Sequence, residues 1–253
     1  ALTNLTVASG AVVSHFGNKT SEDYTLEIDI PGDLTVQSGG SIDVQGKGFD
    51  NGYGPGTPPG NYSGGSYGGV GGGYQSEEMG STYGSYNAPT NLGSGGSSYA
   101  NSDGGGAIRL VVGGTCTVDG TINADGKAAG AEGTGSGGSV YITCASFGGS
   151  GAVRANGGVG TRSDVGGGSG GRVAVVLTSG TSFGSVTLQA LPGWQGGKKP
   201  GGGTVFTKTA TQSYGILKIE NANNSALADE AGGRGTLIPD GATWEVEGLV
   251  LVS

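Results

Sequence analysis

A small set of aspartates, one histidine and two cysteines are the side chains whose types and spacing invite a chemical reading. A polysaccharide-cleaving site needs clustered carboxylates, as an acid/base pair or as ligands for a hard cation. Asp119 and Asp125 share the stretch VDGTINADG, but the residues equivalent to them one repeat later are Ser150 or its neighbours and Asn156. No carboxylate ladder forms. Asp43, Asp50, Asp103 and Asp164 are scattered over segments where solvated turn carboxylates are usual. His15 lacks a Ser or Cys partner in triad context, so a surface or packing role is expected of it. The run GGGSGGR, residues 166–172, lacks the Lys-Ser/Thr ending of a phosphate loop and leads into a strand. The chain is therefore expected to be no enzyme, with no catalytic residues, no metal and no cofactor.

Cys116 and Cys144 each lie in a β-type run, TCTV and YITC. An even pair in a low-charge chain suggests a disulfide, expected to join consecutive units, while zinc would want two more ligands. The net charge of −8 and the scattering of the twelve Lys and Arg argue against a nucleic-acid partner. No run of 18 apolar residues is present, so membrane insertion is not expected either. The chain starts at Ala1, as a mature secreted product or an excised fragment would.

These residues must be positioned by a chain with sixty glycines and only 34% hydrophobic residues. Collagen is excluded, because there is no Gly-X-Y period and only eight prolines. The order that does exist is a longer repeat. GGAIRLVV (105–112) returns as GGSVYITC (137–144), GGRVAVVL (170–177) and GGTVFTKT (202–209), with Ile108, Val140, Val173 and Val205 spaced 32, 33 and 32 residues apart. A second strand follows in each unit: GTINADG, GAVRANG, GSVTLQA and, more loosely, GILKIEN, with Ile122, Val153 and Val186 near the same period. Two alternating strands and a glycine-rich return per unit of about 32 residues read as a parallel β-helix, an all-β solenoid. GDLTVQSGGSIDVQGKG (32–48) adds a partial copy. Stacked returns would run as extended or polyproline-II-like chains, where only glycine permits close backbone approach.

The expected organisation is one solenoid domain. Residues 1–31 supply N-terminal strands, a cap or a donor segment, 49–103 a Gly/Tyr-rich insertion, 104–221 the regular repeats and 222–253 C-terminal strands. The insertion holds seven of the ten tyrosines. Most are expected to pack the glycine layers, although Tyr62, Tyr67, Tyr74 and Trp194 are candidates for stacking on a glycan. Sequons at Asn4, Asn18, Asn61 and Asn223 are possible N-glycosylation sites.

The succession LTVQSGGSIDVQGKG, YGSYNAPTNLGSGG, GGGAIRL, TVDGTINADG, GSGGSVYIT, GAVRANGG, GGGSGGRVAVV and GGGTVFTK with GILKIEN resembles glycine-rich β-solenoid segments of large secreted and surface proteins of environmental bacteria, similar also to plant glycine-rich proteins. The resemblance covers residues 32 to about 221. It implies an extracellular or cell-surface setting and brings no catalytic motif. The leading expectation is a non-enzymatic structural protein, a fibre, filament or surface-layer subunit or an adhesin. It would self-assemble as a homopolymer through its terminal strands, LTNLTVASGAVVSHF and ATWEVEGLVLVS. The alternatives are a carbohydrate-binding module with a polysaccharide partner and, less favoured, a β-helix polysaccharide enzyme.

Overall fold

The computed structural model describes residues 3–73, 79–97, 101–128, 133–160, 162, 164–193, 199–221 and 245–252. Among them all regular structure is β. Strands are numbered in chain order, and most are joined in parallel. Sheet A runs β1 (Leu5–Val7), β4 (Leu34–Val36), β6 (Ala107–Val118), β8 (Ser139–Gly148), β10 (Arg172–Leu177), β12 (Thr204–Lys208), β13 (Ile216–Glu220) and β14 (Gly248–Val252), with β3 (Leu26–Ile30) beside the first half of β6. Sheet B runs β11 (Thr187–Gln189), β9 (Ala152–Arg154), β7 (Thr121–Asn123), β5 (Ser41–Asp43) and β2 (Val12–Val13). The chain is a parallel β-solenoid of about 6 turns with the ~32-residue spacing read from the sequence.

Register explains why so few apolar residues suffice. Ile108 faces Val140, Val140 faces Val173 and Val173 faces Val205, while Leu110, Ile142 and Val175 form a parallel column. On sheet B, Val13, Ile42, Ile122, Val153 and Leu188 stack in the same way. Alternation sends every second side chain inward, and strands roughly 4.8 Å apart bring each column into contact along its length. These residues form one core cluster.

The third wall is a lattice of glycine-rich segments. Residues 133–138 exchange backbone hydrogen bonds with six neighbouring segments, through Gly65, Ser94, Gly105, Ala124, Gly158 and the pair Gly166 and Ser169. A β-strand bonds to two neighbours in one plane, whereas this chain is bonded all around its axis. At the glycines such packing leaves no room for a Cβ, while Thr134 and Ser136 bury small hydroxyls within it. A Cβ added at Gly170 would lie 2.0 Å from the Ala190 carbonyl oxygen, and one at Gly133 would lie 1.9 Å from that of Ser63. Glycine here is the condition for contact, and the hydrogen bonds between segments offset its high ordering entropy.

The insertion between β5 and β6 is part of that lattice. Gly68 and Gly72 donate to the carbonyls of Gly170 and Gly167, and Gly93 donates to that of Gly105. Two of its tyrosines lock it onto sheet A. The Tyr67 hydroxyl lies 2.7 Å from Ser139 Oγ, and the Tyr83 hydroxyl donates to the Leu92 carbonyl. Their rings are 4.6 Å apart. Arg172, buried behind them, donates to the Tyr83 carbonyl and Thr204 Oγ1 and lies 5.4 Å from the centre of the Tyr67 ring.

Three sequence expectations need correction. First, Leu188, not Val186, occupies the sheet B column with Ile122 and Val153, because the strand is Thr187–Gln189; Val186 is the inward residue two positions earlier. Second, GILKIEN is not a sheet B strand. It forms β13, which reverses direction and pairs antiparallel with β12 in sheet A. Third, Cys116 and Cys144 are free thiols, both buried. A bulge in β6 between Val112 and Thr115 puts Val112 opposite Cys144 and Cys116 opposite Phe147, so the cysteines are close, with the Cys144 thiol reaching the Cys116 backbone, but are not register partners.

Candidate functional site

The aspartates that prompted a catalytic reading serve as staples between coils. Asp119 Oδ1 accepts from the backbone N–H and the hydroxyl of Ser150, 31 residues on. Asp125 Oδ1 accepts from the Asn156 N–H at 2.6 Å, and Asn156 Oδ1 accepts in turn from Leu191. Asp33 takes the Thr115 N–H in the same manner. Each short polar side chain satisfies an N–H at a corner of the next coil, where the ladder is interrupted.

Charge in these positions is strained by burial. The Asp125 carboxyl is pushed up to about 6, chiefly by burial and against the pull of Asn156 and of Arg154, whose Nε lies 2.9 Å away. Asp103 is also raised by burial, with Asp50 beside it, although Lys127 Nζ at 2.9 Å opposes the shift. Asp43 accepts from Asn123 Nδ2, and Asp164 pairs with Arg162 at the surface. Among the described residues no group of three or more His, Cys, Asp or Glu is arranged to hold a metal ion. His15 lies over the glycine backbone: a Cβ at Gly106 would meet its Nε2 at 2.5 Å. Its Nδ1 is 2.6 Å from the Phe16 carbonyl, and burial lowers its pKa, which fits a neutral ring donating from Nδ1.

The candidate glycan platforms are dispersed. Tyr67 is fully buried in the lock described above, so it is no platform, and burial raises its pKa. Tyr62 is half-buried, with φ 61. Tyr74 and Trp194 lie outside the described residues. Of the sequons, Asn18 is corrected. It is buried, its Nδ2 donates to the carbonyls of Tyr24 and Lys47, and its Oδ1 accepts from Asp23 and Tyr24, leaving no free amide for a glycan. Asn4 is exposed but its Oδ1 holds the Asp33 N–H, Asn61 is exposed on the insertion, and Asn223 lies outside the described residues.

Two other features stand out. One is a cleft of about 640 Å³ on the outer face of sheet A, at its C-terminal end. It is lined by the apolar Val176 and Phe206, by Tyr86, Tyr141 and Tyr214, and by Lys208 and Glu245 among others. Register builds it: Arg109, Tyr141, Ala174 and Phe206 share one outward column, and small Ala174 separates two aromatic rings. Tyr86 from the insertion closes one side, 5.6 Å from Phe206 ring to ring. In the repeats GGAIRLVV, GGSVYITC, GGRVAVVL and GGTVFTKT this outward column is the position that follows each inward Ile108, Val140, Val173 and Val205.

The other feature is the asymmetry of the two ends of sheet A. At one end, β1 pairs only with β4 and β3 only with β6 among the described residues. The second edge of β3 has no strand partner among the described residues, and Leu26 and Ile28 are only partly buried. At the other end, β14 pairs with β13 alone among the described residues and carries Leu249, Val250 and Leu251 exposed by 47%, 44% and 69%. No helix among the described residues is long and apolar enough to cross a membrane. No family model, no curated protein and no solved structure matches this chain.

Proposed function

We propose that this chain is a non-enzymatic structural subunit that pairs end to end with copies of itself, in a fibre, filament, surface layer or adhesin stalk outside the cell. One observation supports the reading most: among the described residues, β3 at one end of sheet A and β14 at the other each leave an edge five residues long without a strand partner. β3 presents five residues, LEIDI, with apolar side chains toward an incompletely covered core, and β14 presents five, GLVLV, almost wholly apolar and exposed. Unpaired N–H and C=O groups on an apolar strand recruit another strand. Since β14 runs opposite to β12 and the rest of the solenoid, a translated copy would receive it against β3 in antiparallel pairing. The extracellular setting rests on the resemblance to secreted glycine-rich solenoids.

Light scattering and negative-stain electron microscopy of the intact chain test this reading. Linear particles that grow with concentration are expected. The double variant Leu249→Lys with Leu251→Lys, which blunts the exposed strand, should remain monomeric with a melting temperature close to the parent's. A parent chain that stays monomeric at high concentration overturns the proposal.

A further inference from the structure

We propose that the cleft between Tyr86, Tyr141 and Tyr214 binds a neutral pyranose saccharide. The volume, about 640 Å³, lies within the roughly 300–1,000 Å³ range of small-molecule sites. Its chemistry selects the occupant. Seven of the ten lining residues carry a hydrogen-bonding side chain, while Val176, Phe206 and Ala88 are apolar. An apolar ligand would cover the polar groups without replacing their water, which costs free energy for each one left unpaired. A pyranose has what both surfaces need: an axial C–H face to lie on an aromatic ring, and equatorial hydroxyls around its edge to meet the polar lining.

The lining contributes a donor and an acceptor of opposite charge. Lys208 offers N–H donors and Glu245 a carboxylate, so their charges balance and a neutral sugar is favoured over a polyanion. The aromatic walls are held before any ligand arrives. Tyr86 is braced edge-on against Phe206, with its hydroxyl toward the Glu245 carbonyl at 3.5 Å, and Tyr141 is fixed in the strand ladder. Tyr214, 49% exposed on the turn between β12 and β13, leaves a ring face open to solvent. Rigid rings lose little entropy on contact, which is why such residues recur in binding surfaces.

The test uses the intact chain and soluble neutral oligosaccharides of glucose, xylose, mannose and galactose, with isothermal titration calorimetry and tyrosine fluorescence as readouts. At least one series is expected to bind, with affinity rising with chain length until the cleft is filled. Tyr214→Ala, at an exposed position, should weaken that binding at least tenfold without changing the melting temperature, and Lys208→Met should weaken it by a smaller factor. Two results overturn the proposal: no binding across the four series, or binding that both Tyr214→Ala and Tyr141→Ala leave at parental affinity. Loss of assembly in the Leu249→Lys, Leu251→Lys variant with retained sugar binding would keep the two proposals separate.

Discussion

At the scale of single residues, glycine and aspartate carry roles that their chemistry alone would not assign. A Cβ at Gly170 meets carbonyl oxygen and amide nitrogen of neighbouring backbones, whereas one at Gly148 meets nothing within 4 Å. Gly170→Ala is therefore expected to lower stability by about 1–3 kcal/mol or more, as overpacking does, while Gly148→Ala stays within about 0.5 kcal/mol. Chemical denaturation of the pair checks it. Equal effects would mean that the lattice yields. Asp125 makes a pH prediction. Its carboxyl titrates near 6 in the fold against 3.8 as its ordinary value, so the neutral form is favoured by folding. That contribution is full below about pH 3.8 and is lost as pH rises through about 6, an effect of about 3 kcal/mol at most. In Asp125→Asn the fall should vanish, so that variant and parent stability curves converge toward acid and separate toward pH 7. Parallel curves from pH 4 to 7 would refute it.

At the scale of elements, most of the solenoid was legible in the chain because a repeat is written several times. Ile108, Val140, Val173 and Val205 identify their own register, and each copy corrects the reading of the others. What occurs once was not legible. Nothing in GILKIEN tells a parallel continuation from a reversal, and reversal places Lys218 opposite Val205, at the end of the core column, in an ion pair with Glu220. Likewise the bulge after Val112 takes Cys116 out of the column of Cys144, although the Cys144 thiol still reaches the Cys116 backbone. Burial pushes the Cys144 thiol up to about 12 and Cys116 higher still, so neither supplies thiolate at neutral pH. Maleimide is expected to label neither cysteine in the native chain and both after denaturation without reductant; a single or absent label after denaturation contradicts free thiols. The cleft was missed because its walls come from three separate stretches, Tyr86 in the insertion, Tyr141 in β8 and Tyr214 in a turn. The insertion is held by side-chain anchors in addition to its many backbone hydrogen bonds. Arg172→Ala strands the Tyr83 carbonyl and removes the cation from the Tyr67 ring, costing about 1–3 kcal/mol. Limited proteolysis should then cut within residues 49–103 faster than in the parent; an unchanged cleavage rate would show that the glycine contacts suffice.

For the whole molecule, the decisive property is that the solenoid's two ends differ. The inward Lys218 and Glu220 blunt the core column at the C-terminal end, a common way of preventing solenoids from stacking bluntly, yet the strand β14 is apolar and has no strand partner on its far side among the described residues. At the N-terminal end the core is covered on one side of β4 and left open along β3. An interface joining unlike ends is heterologous, and without rotational closure it propagates into a filament; joining like ends is isologous and stops at a dimer. Complementation separates these cases. Ile28→Lys spoils the β3 end and leaves β14 intact, while Leu249→Lys with Leu251→Lys spoils β14 and leaves β3 intact. Under end-to-end growth each variant alone is a monomer, because its one good edge finds only spoiled partners. Mixed in equal amounts, the good β14 of the first pairs with the good β3 edge of the second, and both remaining ends are blocked. Light scattering of the mixture is therefore expected to give heterodimers and nothing larger. If either variant alone forms dimers, like ends pair with like, and if the mixture stays monomeric, β14 and β3 are not partners.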